Sequence, residues 1–249
     1  MIEHLPTDMG RQDLAALAWF LAAWLGYGQA IHAMPWPGSI TARMGQVRRA
    51  WMATMLGRDN RITDALLIGH TVHSATFFAS TTMVAMAALL GLLGGFDRTY
   101  ATVQELAFTA KTGRVFMEGK LVLLLLLVFA HIFLKLSWAL RQLNYTLAMI
   151  GAAPTKPRVA QRDRIARELG TLLSLAVRSF NAGIRGYYFA LAALTWLVGP
   201  EAFMAATCGI VTMLAWRQFA SGTAEAIRRS HVAVLGEEEG GVAGAVQLR

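Results

Sequence analysis

The segment LVLLLLLVFAHIFLKLSWAL, residues 121–140, carries one fixed charge, Lys135, in an otherwise apolar run. A run of about 20 such residues matches the roughly 30 Å hydrocarbon core of a bilayer. Lipid offers no partner for backbone N–H and C=O groups, so the segment must satisfy them internally as an α-helix. The rest of the 249-residue chain agrees: it is 55% hydrophobic and 15% charged, whereas soluble domains carry about 25% charged residues. The sequence therefore predicts an all-α, polytopic membrane helical bundle.

Two more runs read the same way, from Leu14 to Ile31 and from Leu66 to Leu93. A fourth, Gly186 to Trp216, is interrupted by GPE at 199–201. As one straight helix it would be about 46 Å long, more than the core accommodates. Pro200 lacks an N–H and disfavours helix at Gly199, so either a kinked helix or a hairpin of two helices fits. Charge separates these readings. With a hairpin and the N-terminus outside, sixteen of the 23 Lys and Arg residues fall on the cytoplasmic side and five outside. A single kinked helix reduces this asymmetry to twelve against nine. The positive-inside rule favours the hairpin, which gives five spans (four if that stretch is one helix), a cytoplasmic C-terminus and cytoplasmic helical extensions. A bacterial inner membrane is the expected location. The N-terminal MIEHLPTDMGRQD lacks the basic start and cleavage site of a signal peptide, so the first span is expected to persist.

Residues 1–235 read as one membrane-embedded domain, and the Gly-rich, acidic 236–249 as a flexible tail. Between the first two spans, Met44, Val47, Trp51 and Met55 form a helical stripe with Arg49 opposite. That pattern suits either a helix lying at the headgroups or one packed on the protein's own cytoplasmic face. The run QRDRIARELGTLLSLAVRSF, 161–180, reads as a helix leading into the fourth span. Small residues spaced by four, Ala18, Ala22 and Gly26 and again Ala87, Gly91 and Gly95, are the expected points of close helix approach.

Chemistry is harder to find. His70 and His73 share a helix face, but His131 belongs on the order of 15 Å deeper, too far to complete a metal or haem site with them. No Gly-x-Ser-x-Gly elbow presents a nucleophile, and the lone GYG at 26–28 lacks the remaining glycines of a dinucleotide site. No catalytic residue, metal or cofactor is expected. The hydroxyls of Ser74, Thr76, Ser80, Thr81 and Thr82 are expected to bond back to their own helix or to a neighbour. In the third span, His131, Lys135, Trp138, Gln142 and Tyr145 follow one stripe, and Lys135 lies about 7 Å from the inner end, within reach of the surface. It is expected to be surface-seeking.

RRAWMATMLGRDNRITDALL (48–67), FFASTTM (77–83), FLKLSWALRQLNY (133–145) and GIRGYYFALAALTWLVGP (183–200) together resemble the family of domain of unknown function 599. The resemblance implies an uncharacterised multi-pass membrane protein and supplies no catalytic motif. Arg61, Asp64, Arg141, Asn144, Asn181, Arg185 and Tyr187 all fall near the cytoplasmic ends of spans two to four and are expected to form a polar layer. Asp64 is the expected counterion for Arg141 or Arg185 in a clasp joining helix ends. The alternative is a basic pocket for an anionic headgroup or small anion. Two functions follow. One is a non-enzymatic accessory or scaffold subunit, partnered by the bilayer, its anionic headgroups on the cytoplasmic side and a second copy or other membrane subunits, with no nucleic acid. The other is a transporter or channel for an anionic or small polar solute.

Overall fold

The computed structural model describes residues 10–33, 38–94, 120–155 and 157–235. Among these there are seven α-helices and no strand: α1 (Arg11–Ala33), α2 (Ile40–Leu56), α3 (Ile62–Gly94), α4 (Val122–Ala152), α5 (Val159–Leu194), α6 (Pro200–Phe219) and α7 (Gly222–Leu235). Three helical stretches are long and apolar enough to cross a membrane: Arg11–Ile31, Ile62–Leu93 and Val122–Ala152. α5 and α6 are not among them; each carries charge, Arg178 and Arg185 on one and Glu201 and Arg217 on the other. The tail 236–249, Gly95, Arg98, Lys111 and Arg114 lie outside the described residues.

The chain reverses at GPE. Gly199 has φ +150° and ψ 168°, a conformation essentially restricted to glycine. Pro200 then opens α6, at a helical position that needs no N–H donor. Trp196 stacks on Phe203 with centroids 4.8 Å apart, and Arg217 Nη1 donates to Tyr188 Oη at 3.0 Å. In one continuous helix those two residues would be separated by more than 40 Å, at about 1.5 Å per residue. The stretch is an antiparallel hairpin.

α4 and α5 form the central pair, and its closeness comes from glycine. A Cβ on Gly186 would lie 2.3 Å from Ile132 Cγ1, and one on Gly183 2.8 Å from Leu136 Cγ. The small-residue stripes do not serve this purpose. Ala18, Ala22, Gly26, Ala87 and Gly91 are all exposed, and no atom lies within 4 Å of a Cβ built on Gly26 or Gly91. Spacing by four marks a face able to pack closely without saying whether a partner uses it.

Two apolar cores divide the protein along its length. The first joins Phe20 of α1, Ala79 of α3, Val128 and Ile132 of α4, Phe189 of α5 and Phe203 of α6. The second joins Met52 and Met55 of α2, Ile68 of α3, Leu143 and Ile150 of α4, and Leu169 and Leu173 of α5. α5, with 36 residues, is about 54 Å long and runs through both. The α2 stripe therefore faces protein: α2 packs on α5 and α7, with Met52, Met55 and Leu56 buried. Trp196 Nε1 donates to Asp13 at 2.9 Å, fixing the start of α1 beside the GPE turn. At the opposite end, Gln218 of α6 reaches Thr41 of α2, and His231 of α7 is bonded to Gln46.

Candidate functional site

The expected polar layer is present only in pieces. Asp64 is fully buried in the first turn of α3, but it takes neither Arg141 nor Arg185 as its partner. Its Oδ1 accepts from Trp51 Nε1 at 2.7 Å and from Arg58 Nη1 at 2.6 Å. The reason is local. The short connection after α2 brings the first turn of α3 within reach of Trp51 and Arg58, while the rest of α3 runs along α4. Arg61, from the same connection, donates to the carbonyls of Ile150, Ala153 and Pro154. All three lie at the C-terminal end of α4, where the helix dipole favours a cation; the Ile150 carbonyl also accepts the Ala153 N–H. Arg162 does the same for α2, holding the Ala53 carbonyl through Nε and Nη2. A clasp does join the helix ends, built from Trp51, Arg58, Arg61 and Asp64.

Arg141 and Asn144 are exposed on α4, away from this clasp. Tyr187 belongs to the other core: its hydroxyl donates to the Phe78 carbonyl at 2.8 Å and lies 2.6 Å from Thr82 Oγ1. The α3 hydroxyls of Ser74, Thr76, Thr81 and Thr82 each bond to the carbonyl four residues earlier. His70 and His73 are exposed, while His131 meets the Trp24 ring edge-on at 5.0 Å.

Arg185 and Asn181 take part in a different feature. Between α1, α4 and α5 lies a cavity of about 300 Å³ lined by Trp24, Leu25, Gly28, Gln29, His131, Lys135, Arg178, Ser179, Ala182 and Arg185. It adjoins a second, of about 530 Å³, which reaches α2 and adds Arg48, Arg49, Ser174, Asn181 and Gln218 to Arg178 and Arg185. The two share both arginines and form one crevice with two lobes. Five permanent cations line it: Arg48, Arg49, Lys135, Arg178 and Arg185. No carboxylate does, and none of the five is in an ion pair among the described residues.

Each cation is positioned by its helix. Arg178 and Arg185 are seven residues apart on α5 and so share a face. Arg185 crosses toward α1, its guanidinium 6.0 Å from the Tyr27 ring and 3.3 Å from a Cβ built on Gly28. Gly28 leaves the room that a larger residue would take. Arg48 donates from Nε to Ser174 at 3.0 Å, and burial lowers its pKa from the usual value. Gly170 admits the α2 backbone at Arg49, whose Cα lies 2.8 Å from a Cβ built there. Arg49 and Arg178 stand exposed at the mouth; Arg48, Lys135 and Arg185 are half-buried within.

Lys135 thus faces the groove between α1, α4 and α5, beside Arg178 and Arg185, and is not simply surface-seeking. The stripe that carries it divides: Gln142 is buried and accepts from Ser179, whereas Trp138 and Tyr145 are exposed. What sequence reasoning missed was convergence. Arg48, Arg49 and Arg178 read as flanking charges of the positive-inside kind, and only the packing of α2 on α5 joins them to Lys135. The seven-residue spacing of Arg178 and Arg185 was the one signal that could have found them.

The arrangement is that of an all-helical protein with three helices long and apolar enough to cross a membrane and a cationic crevice at one end of its bundle. The chain belongs to the family described as Protein of unknown function, DUF599, which it matches over residues 15–223. No curated protein and no solved structure matches it.

Proposed function

We propose that this is a non-enzymatic integral membrane protein of five spans that works by binding an anionic group in the crevice. The observation that carries the reading is the set of five cations lining two adjoining lobes that share Arg178 and Arg185, with no carboxylate among the described lining residues. Cations gathered in a partly desolvated groove repel one another, and an anion relieves that repulsion while accepting charge-assisted hydrogen bonds. The positive-inside tendency accounts for basic loops; it does not account for Lys135 within an apolar helix facing two arginines of another.

The topology we propose has the N-terminus outside and the C-terminus in the cytoplasm of a bacterial inner membrane. Two facts support it: Asp13 lies beside the GPE turn, and α7 lies beside α2. The wider lobe then opens to the cytoplasm, and the narrower lobe leads from it to His131 in the apolar half. Such a crevice favours a transporter or channel for an anionic solute over an accessory subunit, the reading that composition alone would put first. Melting of the detergent-purified protein against inorganic phosphate tests the binding step. We expect phosphate to raise the melting temperature of the wild type and not of Arg178→Gln/Arg185→Gln. A chloride-matched control with the same effect would remove the reading.

A further inference from the structure

We infer that the crevice takes a ligand carrying two linked phosphate groups, one seated in each lobe. This rests on the anion-binding reading and deepens it. The narrower lobe offers Lys135 as its own cation and the wider lobe offers Arg48 and Arg49, while Arg178 and Arg185 border both. A single phosphate in either lobe leaves the cations of the other unneutralised. A phosphate monoester carries roughly −1.5 to −2 at neutral pH, and a second linked phosphate adds about one more charge, closer to what five cations require. A guanidinium presents a planar fork of donors that can grip oxygens of adjoining phosphates, and the two that border both lobes are arginines. Neutral donors stand among them: Gln29 in the narrower lobe, Ser174 and Asn181 in the wider.

The walls bear on where such a ligand comes from. Trp24 and Leu25 of α1 close one side of the narrower lobe, and Leu25 is 48% exposed. α1 packs mainly on α6 and only slightly on α5, so the lobe has an apolar, lightly closed flank. That flank suits the hydrocarbon chain of a lipid diphosphate, whereas the wider lobe suits a diphosphate arriving from water. The shared chemistry is the diphosphate.

Isothermal titration calorimetry of the detergent-purified protein separates these cases with four probes: inorganic phosphate, inorganic pyrophosphate, farnesyl phosphate and farnesyl diphosphate. Pyrophosphate is expected to bind at least about tenfold tighter than phosphate, a difference of about 1.4 kcal/mol. Arg178→Gln should abolish that preference. Arg178 is exposed and has no protein partner among the described residues, so this variant should melt like the wild type. Arg167→Gln, an exposed cation on α5 outside the crevice, should leave it intact. If farnesyl diphosphate binds a further tenfold tighter than pyrophosphate, and Leu25→Gln removes the gain, the source is a lipid. Equal affinity of the two diphosphates assigns the source to water. Equal affinity for phosphate and pyrophosphate, both weakened by Arg178→Gln, would overturn the two-phosphate inference and leave anion binding standing. No binding of any probe to a cooperatively melting protein would overturn both.

Discussion

Replacing Asp64 should unsettle the end of the bundle far more than replacing Arg141, although sequence alone suggests pairing them. Asp64 has 0% exposure, and its Oδ1 receives both the Trp51 indole N–H and an Arg58 N–H. A hydrogen bond to a charged acceptor contributes roughly 1.5–3 kcal/mol. The Arg58 side chain is 46% exposed, so solvent screens its half of the cluster, which adds only about 0–1 kcal/mol. Asp64→Ala should therefore cost about 2–4 kcal/mol. At about 2–4 °C per kcal/mol for a chain of this size, the melting temperature in detergent should fall on the order of 10 °C. Trp51→Phe should lose somewhat less, and the double variant should be little worse than Asp64→Ala, because both remove one bond. Arg141→Leu, exposed and outside the clasp, should change stability by less than about 0.5 kcal/mol. Additive losses for Trp51→Phe and Asp64→Ala, or an Arg141→Leu variant as damaged as Asp64→Ala, would refute the reasoning.

Gly186→Val should overpack the α4–α5 contact against Ile132 and cost about 1–3 kcal/mol, while Gly26→Val, with open space around it, should melt within a degree or two of the wild type. Arg61→Leu strips the end of α4 of its capping guanidinium, so hydrogen exchange at Ile150–Ala153 should accelerate by about tenfold, while that at the start of α4 stays unchanged. In a Cys208→Ser background, Glu201→Cys at the GPE turn should label with an impermeant thiol reagent from outside, and a reporter fused after Arg249 should report cytoplasm; labelling from neither side, with the C-terminus outside, would restore a single kinked helix, and the reverse pattern would invert the orientation.

The pieces legible in the sequence were those with a local cause. Long uncharged runs need helices, and GPE needs a break because Pro200 cannot donate and Gly199 must adopt a backbone conformation closed to other residues. Asp64 was recognisable as a buried charge in need of partners. Its partners were not, because Trp51 reads as an interfacial anchor and Arg58 as a loop charge until the turn between α2 and α3 is folded. The α4–α5 crossing was missed for a similar reason. Gly183 and Gly186 are three apart, not four, and only the structure reveals Ile132 and Leu136 against them. The crevice is the clearest instance, since its cations come from three helices that are separated in sequence and meet only through packing.

The central claim is an anion-attracting crevice open to the cytoplasm, and the rate of modification inside it tests this most directly. Ala182 lines the narrower lobe and is half-buried, so Ala182→Cys in a Cys208→Ser background places one thiol there. Everted membrane vesicles are treated with a negatively or a positively charged methanethiosulfonate of similar size. The account predicts that the anionic reagent reacts at least about tenfold faster than the cationic one, within the range over which charged clefts concentrate counter-ions. Arg178→Gln and high salt should both erase the preference, and right-side-out vesicles should protect the thiol. Equal rates for the two reagents, or faster reaction with the cationic one, would contradict it.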